Sequence, residues 1–146
     1  MTIKSLDEIA TLAKAGTLYV RYSRSHTADI RRGYSLDHSR MIREPGLSAQ
    51  EITPADAEQR GWMARLLSEY RHITMSGGYG WIARGERTGT DSDGCPTIGS
   101  VQYIGRLDPE LVERCAGYSA ALAERDRTDR GAGDTRPWPQ IADYGL

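Results

Sequence analysis

Residues Leu18-Tyr19-Val20-Arg21-Tyr22-Ser23-Arg24 alternate strictly enough to specify a half-buried β-strand over 17–23, with Leu18, Val20 and Tyr22 on one face and Tyr19, Arg21 and Ser23 on the other. Such a strand needs ladder partners and a core for its apolar face, so the rest of the chain must supply a sheet and something to cover it. The cation and hydroxyl on the second face have two readings. They face solvent, as one face of most antiparallel sheets does, or they line an anion-binding cleft.

Helix signals flank the strand. Ser5-Leu6-Asp7-Glu8 forms a capping box, followed by Leu6, Ile9, Ala10 and Ala13 at helical spacing until Gly16 stops the helix. Thr53-Pro54-Ala55-Asp56 places a cap, a proline and an acidic residue at a second helix start. Trp62, Leu66 and Tyr70, with Met63 and Leu67 beside them, then form an apolar stripe through about Arg71. Gly61 within it costs up to about 1 kcal/mol relative to Ala, which points to close packing. Asp108-Pro109-Glu110 opens a third helix whose face carries Leu111, Cys115, Tyr118 and Leu122.

Trp81 to Gly85 and Ile98 to Ile104 read as two strands joined by the Asp- and Gly-rich loop Thr88 to Pro96, which makes a hairpin the economical connection. Arg24 to Tyr34 has no apolar period and reads as a basic, mobile loop; Tyr34 to His38 reads as extended, and Ser39 to Arg43 as one helical turn. The predicted architecture is α+β: a single domain over residues 1–130 with a mainly antiparallel sheet and about three helices. Residues 131–146 follow as an irregular tail, with Trp138 pinning it down.

Composition narrows the function classes. Nineteen basic against twenty acidic residues give a net charge of −1, so no global field recruits nucleic acid or an anionic membrane. No apolar run reaches membrane-spanning length, and a cytoplasmic setting is expected. The two cysteines, Cys95 and Cys115, lack metal-ligand or disulfide-framework spacing. With no Phe in the chain, Trp62, Tyr70 and Tyr118 must supply aromatic volume to the core.

Several motifs have a plainer reading than a site. Gly77-Gly78-Tyr79-Gly80 precedes a strand rather than a helix, so it lacks the dipole of a phosphate cradle and reads as a flexible loop. Asp91-Ser92-Asp93-Gly94 lacks the further acidic ligands of a calcium loop and reads as a turn, so no metal is expected. His26, His38 and His72 have no nucleophile elbow near them, and His72 suits a helix C-terminus.

Leu18 to Arg24, Pro45-Gly46-Leu47-Ser48 and Trp81 to Pro96 resemble segments of a family of small actinobacterial proteins with a comparable LYVRYS opening, a PGLS segment and a late Gly/Asp-rich hairpin. That resemblance implies one domain in a bacterial cytosol and brings no activity. Leu18-Tyr19-Val20-Arg21 is also similar to the opening strand of ADP-ribosyltransferase-like domains, where Leu-Tyr is followed by an Arg or His that helps hold NAD. Ile42-Arg43-Glu44-Pro45-Gly46-Leu47-Ser48 is similar to their I-x-x-x-G-L segment with one extra residue. This second resemblance implies NAD as cofactor, with Tyr19, Arg21, Tyr22, Ser23, Arg24 and Ser48 around it. In that chemistry an Arg grips the pyrophosphate, a Tyr stacks on nicotinamide, and a carboxylate stabilises the oxocarbenium as nicotinamide leaves. No Glu-x-Glu is present, which leaves Glu86 and Glu110 as the candidate carboxylates.

Two other classes compete with an NAD-using transferase. A non-catalytic binding or regulatory module would recognise a small anionic ligand or a protein partner through Arg21, Tyr22, Arg24 and the basic loop 24–34. A small biosynthetic enzyme would clamp an anionic metabolite with Arg21 or Arg24 and use His26 or His38 as acid–base. A carboxylate or imidazole across a cleft from Arg21 favours an enzyme; a flat apolar surface favours a partner-binding module.

Overall fold

Helix α1 (Leu6–Ala13), which follows the two-residue strand β1 (Thr2–Ile3), is held at its start as the capping box requires. Ser5 Oγ accepts from the Glu8 N–H at 3.1 Å, and Glu8 Oε2 accepts from the Lys4 N–H at 3.1 Å. The structure, a computed structural model, describes residues 1–72 and 76–146. Strand β2 (Leu18–Ser23) comes next, then helix α2 (His26–Arg32) and a small hairpin of β3 (Leu36–Asp37) and β4 (Ile42–Arg43). β5 (Leu47–Ser48) and β6 (Gln50–Ile52) lead into α3 (Pro54–Glu58) and α4 (Arg60–Ser68). The long strands β7 (Tyr79–Thr90) and β8 (Pro96–Leu107) form the hairpin, and α5 (Pro109–Ala132) and a 3-10 turn (Ile141–Tyr144) complete the chain.

The main sheet has the order β1-β8-β7-β2-β6, antiparallel throughout except for the parallel pair β1–β8. Three register shifts along β7 and β8 bend the hairpin. The sheet curls far enough for one stretch of chain to touch both sides: Leu47 and Ser48 pair with β8, while Gln50 to Ile52 pair with β2. Gly46 sits where this stretch meets the hairpin, and a Cβ there would lie 2.6 Å from the Ile98 carbonyl oxygen, so the crossing admits only glycine.

The fold is a single α+β domain, and its helices number five among the described residues rather than about three. Two departures account for the difference. The stripe through residues 54–71 is not one helix: the chain breaks at Gln59 (φ −93°, ψ 81°) and restarts as α4. Arg24 to Tyr34 is not an irregular loop either. Ser25 Oγ caps α2 by accepting from the Ala28 N–H, Asp29 and Arg31–Arg32 match the helix dipole at its two ends, and Gly33 closes it at φ +80°. No side chain of α2 is fully buried, so the helix has no apolar period to read.

The sheet is covered on both faces where β2 begins, and this corrects the half-buried reading of that strand. Leu18 and Val20 enter the main core beneath the helices, with Leu67, Leu111 and Cys115. Tyr19 points the other way into a second cluster with Leu47, Trp81 and Ile98. Tyr22 lies on the face of Leu18 and Val20 but beyond the core's rim, and it is 53% exposed. Trp62, expected in the core, is 42% exposed; Met63, Ala64, Leu66 and Leu67 carry the burial of α4 instead. Leu122 is only partly buried at the core's edge.

The remaining local expectations shift by a few residues. Residues 38–41 turn without forming a helix and lead into β4, so the two short strands pair as a hairpin. Residues 91–95 alone make the β7–β8 connection, closed by Asp91 Oδ1, which accepts from the Asp93 and Cys95 N–H groups at 2.9 and 2.8 Å. After α5 the tail packs back, with Ile141, Tyr144 and Leu146 against the main core.

Candidate functional site

β6 accompanies β2 only as far as the pair Val20–Gln50, because the preceding residues turn away to β8. From Arg21 onward β2 therefore has β7 on one side and an open edge on the other. A cleft of about 510 Å³ fills this gap. It is lined by Arg21 and Tyr22 of β2, Ser48 and Gln50 of the crossing stretch, Leu36 and His38 of the small hairpin, Asp91, Asp93 and Cys95 of the β7–β8 turn, and Glu69 and Tyr70 after α4.

Arg21 is the most constrained group in the cleft. Its Nε donates to Asp29 Oδ2 at 2.8 Å, and Nη1 donates to Ser35 Oγ at 3.1 Å and to the Ser48 carbonyl at 2.7 Å. Ser35, itself buried, also accepts from the Ser48 N–H at 2.9 Å. One guanidinium thus ties β2 to α2, to the residue before β3, and to β5. Among the described residues Nη2 makes no hydrogen bond, and it is not a fully buried unpartnered atom.

The other polar groups are set by local turns. Burial raises the Tyr70 hydroxyl well above its usual range, Glu69 and Tyr22 adding to the effect and Arg21 opposing it. Burial likewise raises the Cys95 thiol, reinforced by Asp91, Asp93 and Glu69, so this sulfur is held as a thiol rather than as a nucleophilic thiolate. Asp37 is wrapped by Arg40 and Ser39, which hold its carboxyl below the usual carboxylate range and fix the turn that carries His38. Ser92 is tied to Glu44, fastening the 91–95 turn to the chain after β4.

Four of the sequence-derived candidates meet here: Arg21, Tyr22, His38 and Ser48 all line the cleft. The others lie elsewhere. Tyr19 is buried in the second cluster, where burial raises its hydroxyl, with Glu51 adding and Arg87 opposing. Ser23 Oγ accepts from Trp81 Nε1 at 2.9 Å. Arg24 is exposed just past the strand end. Glu86 is exposed midway along β7, opposite Gly99, and Glu110 is exposed in the first turn of α5. None of these five lines the cleft.

Residues that sequence reasoning did not place here include Ser35, Glu69 and Cys95. Ser35 had no distinguishing pattern, Glu69 is the exposed neighbour of a core residue, and Cys95 belongs to a turn explained by its own backbone. Among the described residues no group of three His, Cys, Asp or Glu side chains is placed to hold a metal ion. Among them too, no helix is long and apolar enough to cross a membrane.

Residues 1–130 match the model of a family of unknown function (DUF6098), and the chain belongs to that family. This agrees with the expected membership of a family without an assigned activity. No curated protein and no solved structure matches the chain.

Proposed function

We propose, for a chain whose family carries no assigned activity, that the cleft at the open edge of β2 binds a small anionic ligand through Arg21. The observation that carries this reading is the guanidinium itself: Asp29, Ser35 and Ser48 hold Nε and Nη1, Nη2 has no hydrogen bond among the described residues, and Arg21 lines the cleft. A cation fixed in this way does not need to be ordered when the ligand arrives, which favours binding of a carboxylate or phosphate. Arg32 is a second cation lining the same cleft, which the three carboxylates Glu69, Asp91 and Asp93 line too.

Glu69, His38 and His72 also line the cleft, so the ligand lies within a wall that carries acid–base groups, and this favours an enzyme over a flat partner-binding surface. NAD remains one candidate ligand. If it is cleaved, nicotinamide departs with the bonding electron pair, water adds to the resulting oxocarbenium and gives up a proton, and the carboxylates available to stabilise that cation are Glu69, Asp91 and Asp93 rather than Glu86 or Glu110.

A thermal-shift screen of NAD, mononucleotides, inorganic phosphate and simple carboxylates tests the reading. A ligand that binds only the native state raises the melting temperature with the logarithm of its concentration. At least one anion is expected to shift wild type, and both Arg21→Ala and Arg21→Lys are expected to lose most of that shift, whatever their own melting temperatures. No shift with any anion, or an undiminished shift in Arg21→Ala, overturns the proposal; no nicotinamide released on long incubation with NAD removes only the transferase reading.

A further inference from the structure

A second recess, of about 500 Å³, opens beside the first. Trp62, Arg65 and Leu66 of α4 and Ser119 of α5 line it, and Gln50 and Glu69 line both recesses. Gln50 and Glu69 therefore border both spaces, and a ligand held at Arg21 that extends past them enters the second recess. Along that route stands Trp62.

Trp62 is the unusual member of its helix. Its neighbours Met63 and Ala64 are fully buried, whereas its indole is 42% exposed and makes no ring contact with another aromatic side chain among the described residues. A large planar surface left open in a recess is suited to a planar ring stacked on it. Arg65 and Ser119 add hydrogen-bond donors at its edge.

We infer that the ligand of this cleft carries an anionic group and a planar aromatic ring on one molecule, the anion at Arg21 and the ring on Trp62. This rests on the anion-binding reading above and adds the ring subsite to it. Phosphate attached through a sugar to a base has this form, and the combined space of the two recesses suits a ligand of nucleotide size better than a bare anion.

Calorimetric titration of the full chain with AMP, ribose 5-phosphate and adenosine separates the two subsites. AMP is expected to bind at least about tenfold more tightly than ribose 5-phosphate, and Trp62→Leu to bring AMP down to the affinity of ribose 5-phosphate without changing the latter. Trp62→Tyr, which keeps a ring, is expected to retain part of the difference, and AMP should quench tryptophan fluorescence in wild type but not in Trp62→Tyr. Arg21→Lys is expected to weaken AMP and ribose 5-phosphate alike. If the two phosphates bind equally well, or if Trp62→Leu weakens both equally, the ring subsite is wrong while the anion site stands. If neither phosphate binds and adenosine does not either, the ring subsite falls, and the anion site falls with it only if the carboxylates of the thermal-shift screen fail too.

Discussion

Arg21 Nε lies 2.8 Å from Asp29 Oδ2, so a residue in the middle of β2 holds the middle of α2, the helix without a fully buried side chain. Both side chains are largely shielded, at 15% and 16% exposure, which places the pair among ion pairs with a measurable contribution rather than among surface pairs. Asp29→Ala is expected to cost about 1–3 kcal/mol, because Arg21 loses its charged partner in a partly buried place. Hydrogen exchange would then quicken across α2 more than across β7. Unchanged protection of α2 amides would show that the helix is held by something else.

That something else would be the first residue of the helix. The His26 ring stacks on Tyr103 with centroids 3.8 Å apart and planes 9° apart, and its backbone N–H donates to the Tyr79 hydroxyl at 2.8 Å. Tyr103→Ala is expected to cost about 0.5–1.5 kcal/mol beyond simple loss of area, and combining it with Asp29→Ala should release α2 altogether. Exchange in the double variant no faster than in either single variant would contradict this division of labour.

A pH dependence follows from two buried acids. Burial pushes the Cys115 thiol up to about 12, and it raises the Tyr70 hydroxyl as well. The native state retains both protons, whereas the unfolded chain releases them from about pH 8.5 for Cys and about pH 10 for Tyr. This stability is complete below those values and is lost as pH rises toward the folded values, by about 1.4 kcal/mol per pH unit for each group ionised only in the unfolded chain. Urea denaturation above about pH 9 should show the decline, and Cys115→Ala should make it shallower, leaving the smaller contribution of Cys95, whose thiol is also raised. A flat stability curve through this range would mean that neither group is as buried as described.

The tail outside the family match is expected to be structural. Arg125, 6% exposed, donates from Nε to the Arg136 carbonyl and from Nη2 to the Asp134 carbonyl, each at 2.9 Å, and lies 4.4 Å from the Trp138 ring centroid. Tyr144 meets Tyr118 edge-on at 5.9 Å. Ending the chain at residue 132 is expected to lower stability by about 2 kcal/mol or more, and Trp138→Ala by about 1 kcal/mol. An unchanged denaturation midpoint in the truncated chain would show the tail to be a passive extension.

Elements with an apolar stripe on one core announce themselves in the residue spacing, and elements without one do not. Leu6, Ile9, Leu111 and Cys115 were legible because each faces one core at helical spacing. α2 was not, since its caps, Ser25 and Gly33, enclose a segment with no apolar stripe. Trp62 misled because exposure of a large apolar side chain leaves the spacing of its helix unchanged. Arg21 and Ser48 could be named as candidates, but their meeting at one carbonyl depends on how the sheet curls, and Glu69 reaches the cleft from the C-terminal end of α4 with no local pattern to announce it.

The most direct measurement is a map of amide and Arg side-chain NMR shifts on titration with ribose 5-phosphate. Shifts concentrated at Arg21 Nε, Ser35, Ser48 and Gln50 are the expected result, because Arg21, Ser35, Ser48 and Gln50 line the cleft and Ser35 and Ser48 hold the guanidinium. Shifts absent there and concentrated instead around His26, Tyr79 and Arg106, where the Arg106 guanidinium lies 4.3 Å from the Tyr79 ring centroid, would contradict the account.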